Sequence, residues 1–185
     1  GRDPGRLAGR PRRALLIHTV AAFVALGSNL GDRRAILERA LRELTALGAG
    51  ILGQSGLYET EPIGITSRQP FLNAVVELSW GGSPGALLEA LHGVEQTLGR
   101  RRDHPDGDRT CDLDLLLFHD RVIDTPTLTV PHPGMTGRRF VLEPLLELAP
   151  ELVDPATGSS YADALPATAD QPCRLFVSSP SWANE

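Results

Sequence analysis

Between Phe71 and Trp80 the sequence alternates without interruption. Leu72, Ala74, Val76, Leu78 and Trp80 fall on one side of an extended chain, and Phe71, Asn73, Val75 and Glu77 on the other. A period of two is that of a β-strand, and it sets the frame for the segments around it. Upstream, residues 21–26 read as a short apolar strand ending at Gly27. A helix is expected from Asp32, which can cap it, with Leu37, Leu41, Leu44 and Leu47 at helical spacing and Gly48 as its stop. Residues 51–58 form a second strand candidate, and Glu61-Pro62-Ile63-Gly64 opens a polar loop through Gln69. Downstream, Ser83-Pro84 and Gly99 bracket a second helix whose apolar stripe is Leu87, Leu91, Val94 and Leu98. A charged loop over 100–110 leads to a strand over 111–118, and a short third helix is expected over 139–148.

The order β-α-β-β-α-β predicts an α+β fold: a ferredoxin-like antiparallel sheet with its helices on one face and the other face free to carry a site. At 185 residues the chain suits a single core. That domain is expected over 21–165, between a basic leader at 1–20 and a Pro/Gly/Ser-rich tail at 166–185. The leader holds five arginines against Asp3 within residues 1–13, and the rest of the chain then carries 13 arginines against 22 acids. So acidic a body is a poor partner for a nucleic-acid backbone, and with aromatics at 5% there is little to stack bases on. No lysine occurs at all, which excludes a P-loop or a Schiff base. The apolar run 14–26 behind Arg12-Arg13 mimics a secretory signal, but Gly-Ser-Asn-Leu-Gly-Asp at 27–32 leads straight into a patterned helix, which favours a leader followed by the first strand. That run is also too short to span a bilayer. Cys111 and Cys173 lack metal-ligand spacing and fit a reducing cytoplasm, where a monomer is expected.

The chemistry concentrates around Asp112-Leu113-Asp114. Residues two apart on a strand share a face, so both carboxylates point the same way. Two desolvated carboxylates repel, and either a divalent cation or two arginine partners would relieve them. An all-oxygen set favours Mg²⁺, completed by water and phosphate oxygens. Arg100, Arg101, Arg102 and Arg109 precede the pair in a loop that is either simply solvated or a phosphate site. Phe71 and Asn73 place a ring beside an amide, a combination suited to a flat heterocycle or to ordinary core packing.

Together these segments resemble the 6-hydroxymethyl-7,8-dihydropterin pyrophosphokinase family. The matching strings, in order, are 25–32 (Ala-Leu-Gly-Ser-Asn-Leu-Gly-Asp), 58–64, 71–74, Arg109-Thr110-Cys111-Asp112-Leu113-Asp114, Val130-Pro131-His132, and 138–145 followed by 149–152. The resemblance implies transfer of pyrophosphate from Mg-ATP to 6-hydroxymethyl-7,8-dihydropterin, with two Mg²⁺ ions. It assigns the metals to Asp112 and Asp114, and loop catalysis to Arg100 and Arg109. The pterin falls to Thr60, Ile63, Phe71, Asn73 and Phe140. ATP falls to Glu95, Arg102, Leu115, Thr129, His132 and Arg138.

The chain departs from the family at three places. His104 to Arg109 replaces a common Arg-Trp-Gly-Pro-Arg run and adds Asp106 and Asp108 where a triphosphate should pass. Cys111 stands for a usual Leu, and Thr127 for an occasional adenine-side Arg. Three other readings therefore compete: a non-catalytic pterin- or nucleotide-binding relative, a ferredoxin-like RNA-binding module, and a Mg-dependent phosphohydrolase. The acidic body opposes the second, and the paired phenylalanines are unexplained by the third.

Overall fold

The structure, a computed structural model, describes residues 19–100, 107–179 and 182. The expected leader, residues 1–18 of it, and the loop residues 101–106 lie outside the described residues. The chain runs β1 (Val20–Ser28), α1 (Arg33–Ala46), β2 (Gly50–Gln54), β3 (Leu57–Thr60), β4 (Phe71–Trp80), α2 (Pro84–Thr97), β5 (Asp112–Phe118), β6 (Ile123–Asp124), β7 (Thr129–Val130), α3 (Arg139–Leu148) and β8 (Cys173–Val177). Short 3-10 segments lie at Met135–Gly137 and Tyr161–Thr168.

The main sheet has the order β5-β1-β4-β3-β8, with β2 also paired to β4. All of its pairings are antiparallel. β1 and the alternating β4 are therefore central, as the ferredoxin-like order requires. The single strand expected over 51–58 is instead two. Ser55 breaks the ladder, yet its side-chain oxygen accepts from the Val75 N–H at 2.9 Å, while its own N–H donates to the Val75 carbonyl at 2.9 Å. Gly56 follows because a Cβ there would lie 2.8 Å from the Val177 carbonyl.

Asp32 caps α1 by accepting from the Ala35 N–H at 3.1 Å, and Ser83 caps α2 through Ala86 at 3.1 Å. α1 buries Leu37, Ala40, Leu41 and Leu44, and α2 buries Leu87, Leu91 and Val94, all against one face of the sheet. Leu47, expected on the buried stripe, is exposed because the helix ends before it and Gly48 turns away with φ +97°.

The opposite face is only half free. Phe23, Ala25, Val75, Leu116 and Leu117 are covered by α3 and the 3-10 segments through Val141, Leu142, Leu145, Met135 and Tyr161. A bulge in the β1–β5 register lets the consecutive Leu116 and Leu117 share that face. Glu147 on α3 pins the cover to β3, accepting from the Gly56 N–H at 3.0 Å and the Tyr58 hydroxyl at 2.8 Å. Burial and this carboxylate together push the Tyr58 hydroxyl pKa up. What remains open is the strip carrying Gly27, Phe71, Asn73, Asp112 and Asp114.

Of residues 166–185, read from sequence as a tail, the described ones, 166–179 and Trp182, are part of the fold. β8 pairs with β3 and extends the sheet through Val177. Ser179 donates its hydroxyl to the Gln54 carbonyl at 2.6 Å, and Trp182 is fully buried in the helix-side core, its indole N–H donating to the Ser55 carbonyl at 2.7 Å. An edge strand of five residues with three exposed lacks the alternation that would announce it.

Candidate active site

Strand register assembles the site. Gly27 on β1 lies opposite Asn73 on β4 and Asp112 on β5, and Ala25 lies opposite Val75 and Asp114. The residues expected to hold a heterocycle and those expected to hold a cation thus occupy adjoining rows of one open face. Gly27 keeps the middle bare: a Cβ there would stand 3.0 Å from Asn73 Oδ1 and 3.8 Å from the Phe71 ring.

Above this floor is a cavity of about 320 Å³, at the small end of the range typical of ligand pockets. At one end it is lined by Thr60, Ile63, Phe71, Asn73 and Phe140, all five of the expected heterocycle contacts. Phe71 rises from the sheet and Phe140 reaches in from the first turn of α3. Asn73 donates from Nδ2 to Thr60 Oγ1 at 2.7 Å, and both residues are buried. That bond fixes the amide and leaves its carbonyl and second N–H for a ligand edge.

The other end is charged, with Asp112, Asp114, Arg109 and Arg138 lining the cavity. The Arg138 guanidinium carbon stands 5.9 Å from the Phe140 ring centroid, a cation–π distance that links the two ends. Asp112 takes Arg100 at 2.6 Å on one oxygen and Arg109 at 2.5 Å on the other. Arg100 also pairs with Glu95, whose Oε1 accepts from the Leu113 N–H at 2.8 Å. Burial raises the Glu95 pKa, opposed by that N–H and by Arg100. Asp114 has no arginine at ion-pair distance among the described residues, and its pKa is raised by burial first and by the Asp112 charge second.

The arginine-pairing alternative for the two aspartates therefore holds for Asp112 but, among the described residues, not for Asp114. Two carboxylates share one face, and one of them is half-buried with only partial compensation, which is the donor set a hard divalent cation relieves. Among the described residues no cluster of three or more His, Cys, Asp or Glu could enclose a metal. The protein supplies two carboxylate ligands and leaves other positions to water or phosphate oxygens, so the residues fit Mg²⁺.

Other expected residues lie elsewhere. Glu95 and Arg100 border a second, smaller cavity of about 130 Å³ with His92 and Gln96. The Leu115 side chain is buried in the helix-side core, because it is out of phase with Asp114, so only its main chain can meet a ligand. Thr129 on β7 and His132 stand outside the lining of the main cavity. The His132 N–H holds the Leu116 carbonyl at 2.9 Å, and its ring lies near enough to temper the Asp114 charge. Arg102 and Asp106 fall outside the described residues. Reasoning on sequence gave no role to Ala25, Gly27, Glu61 and Ile65, which also line the cavity. Nor did it find a role for Asn29, which bonds the loop bearing Arg109; both Gly27 and Asn29 sit in the Gly-Ser-Asn run that ends β1.

Comparison with known proteins gives the family and the fold. The family model described as 7,8-dihydro-6-hydroxymethylpterin-pyrophosphokinase (HPPK) matches residues 23–150. The chain is 42% identical over 139 residues to the Bacillus subtilis 2-amino-4-hydroxy-6-hydroxymethyldihydropteridine pyrophosphokinase, covering 75% of this chain and 83% of that one. It is 43% identical over 131 residues to the Pseudomonas aeruginosa protein of the same name, covering 70% and 81%. The folic acid synthesis protein fol1 of Schizosaccharomyces pombe is 40% identical over 158 residues, which are 85% of this chain but 22% of that protein. Among solved structures, a Plasmodium falciparum HPPK-DHPS variant superposes with a TM-score of 0.66 at 16% identity, over 83% of this chain and 46% of that one, a likeness of fold. No helix among the described residues is long and apolar enough to cross a membrane. With a family model spanning most of its length and relatives above 40% identity, the chain belongs to the 7,8-dihydro-6-hydroxymethylpterin-pyrophosphokinase family.

Proposed function

We propose that the chain transfers pyrophosphate from Mg-ATP to 6-hydroxymethyl-7,8-dihydropterin in folate biosynthesis, giving AMP and the pterin pyrophosphate. The observation that carries this reading is the polarity of one cavity. An aromatic, amide-edged end runs continuously into an end with two aspartates and two arginines. The pterin lies between Phe71 and Phe140, its edge bonded by Asn73, with Thr60 holding the amide in place. Ile63 and Ile65 exclude water from the ring. The hydroxymethyl oxygen attacks the β-phosphorus, the bond from that phosphorus to the α–β bridging oxygen breaks, AMP departs, and the hydroxyl proton is lost.

Asp112 and Asp114 would hold two Mg²⁺ ions, which neutralise phosphate charge when bound. Arg109 and Arg138 face the same oxygens from the cavity wall, and Arg100 can reach them once it leaves Asp112. Glu95, Thr129, His132 and the Leu115 main chain are placed on the nucleotide side, with Arg102. The protein does little covalent chemistry. It orients two substrates and stabilises charge. We further propose that it acts as a cytoplasmic monomer, a reading supported by its free cysteines and acidic composition.

The test is AMP release from Mg-ATP with and without the pterin. Pterin-dependent AMP matched by pterin pyrophosphate supports the reading. Saturable pterin binding without AMP would replace it with a binding protein.

A further inference from the structure

The loop carrying Arg109 holds an acid where a phosphate binder should have none. On charge alone Asp108, the residue just before Arg109, would repel a triphosphate. Its carboxylate is occupied, however. Asp108 Oδ1 accepts from Asn29 Nδ2 at 2.6 Å. Asn29 is buried at the end of β1, with 4% of its surface exposed, and is fixed on every side. Its Oδ1 accepts from the Arg109 N–H at 2.7 Å, and its own N–H donates to the Arg109 carbonyl at 3.1 Å. Nδ2 also reaches Ser67 Oγ at 3.5 Å, at the far side of the cavity loop, and that oxygen accepts from the Gln69 N–H at 3.0 Å.

A second contact joins the same two loops. Gly107 has φ +74°, and a Cβ there would stand 2.9 Å from Ile65 Cγ2, so the chain beside Asp108 lies flat on a residue that lines the cavity. The Arg109 main chain is thus held from both sides of its peptide, and its guanidinium reaches Asp112 at 2.5 Å.

We propose that Asp108 and Asn29 form a latch that positions Arg109. The acid fixes the Asn29 amide so that its carbonyl oxygen meets the Arg109 N–H, and Arg109 stands in register with the metal-binding strand before substrates arrive. The inference rests on the pyrophosphokinase reading for its kinetic consequence, but the latch itself is a property of the folded chain. Asp108 is a positioning residue, acting on phosphate only through Arg109.

Two variants separate the hydrogen bond from the charge. Asp108→Asn removes the charge and keeps an oxygen acceptor for Asn29; Asp108→Ala removes both. Amide hydrogen exchange reads the latch without reference to turnover. In Asp108→Ala the peptide containing Arg109 is expected to exchange roughly tenfold faster while β4 peptides stay unchanged, and in Asp108→Asn protection is kept. Wild-type AMP release is measured alongside. Asp108→Ala is expected to lose about tenfold in kcat/KM for ATP, with Asp108→Asn rescuing it to within about twofold. Unchanged exchange in Asp108→Ala overturns the latch whether or not the wild type turns over. Faster turnover in both variants, or equal loss in both, overturns it too, since either result assigns the effect to charge. Absence of AMP from the wild type, with the exchange pattern as expected, sinks the functional reading and leaves the latch standing.

Discussion

Asp114 is held where water is scarce and where the nearest carboxylate is of its own sign. Its pKa is raised by burial first and by Asp112 second, and His132, Arg138 and Arg100 offset this only in part. A carboxylate in that position costs the ligand-free protein stability at neutral pH, because the charged form is the one burial disfavours. Asp114→Asn keeps the shape and removes the charge. It is expected to raise the Tm by a few degrees and to cut pyrophosphoryl transfer by more than about 100-fold, a scale set by loss of charge stabilisation in the transition state. Differential scanning fluorimetry and the AMP assay check the two halves. A lower Tm would mean that Asp114 is satisfied in the free protein by something other than a bound ligand. Cys111, one residue before the aspartates, has its thiol pushed up to about 12 by burial, so its replacement of a usual leucine places an inert small side chain in the core.

The elements around the cavity are tied by ion pairs at their ends, and one of these reports on pH. Glu59 on β3 pairs with Arg33 of α1 at 2.8 Å and with Arg174 of β8 at 2.7 Å, and Arg33 also donates to the Pro70 carbonyl at 2.8 Å. The Arg33 hydrogen bond, followed by that of Arg174, lowers the Glu59 pKa. A depressed carboxyl pKa contributes stability above its unfolded value and loses it as pH falls through the folded value. Arg174 is exposed, so its share is small, and the cluster is worth about 1 kcal/mol. Glu59→Gln is expected to lower the Tm by about 2–4 °C at pH 7, and the gap should narrow as pH falls through the depressed wild-type carboxyl pKa. Melting curves from neutral pH down through the acid range would show it. A gap that does not vary with pH would mean that packing, not charge, makes the difference.

At the scale of the whole molecule, the sheet is closed on its far edge by β8, with Trp182 behind it. Trp182 fills the helix-side core between β2, β3 and the helices, on the face opposite the cavity. Trp182→Ala is expected to cost about 3–5 kcal/mol as a large-to-small core change, or about 10 °C in Tm. At 25 °C the folded variant should keep near-normal turnover, because Trp182 is not among the residues that line the cavity. Thermal melts beside AMP kinetics decide this. A collapse of kcat without a change in melting would mean that the two faces of the sheet are coupled.

Local pattern made much of this protein legible before any coordinates. The period of two along Phe71–Trp80 determined which side chains share a face, and so did the spacing of Asp112 and Asp114, because side-chain direction in a strand is set by the backbone alone. Caps and stops placed α1 and α2 for the same local reason, and the six ordered strings carried the family. Tertiary structure decided what depends on segments distant in sequence. That Asn73 and Asp112 meet across Gly27 is a matter of strand register. That β8 joins the sheet and Trp182 the core is decided by β3 and Ser55, more than 110 residues earlier. The sign of Asp108 was plain from the sequence, whereas its partner, 79 positions away, was not. A charge acts according to what surrounds it, and only the folded chain brings Asn29 to Asp108.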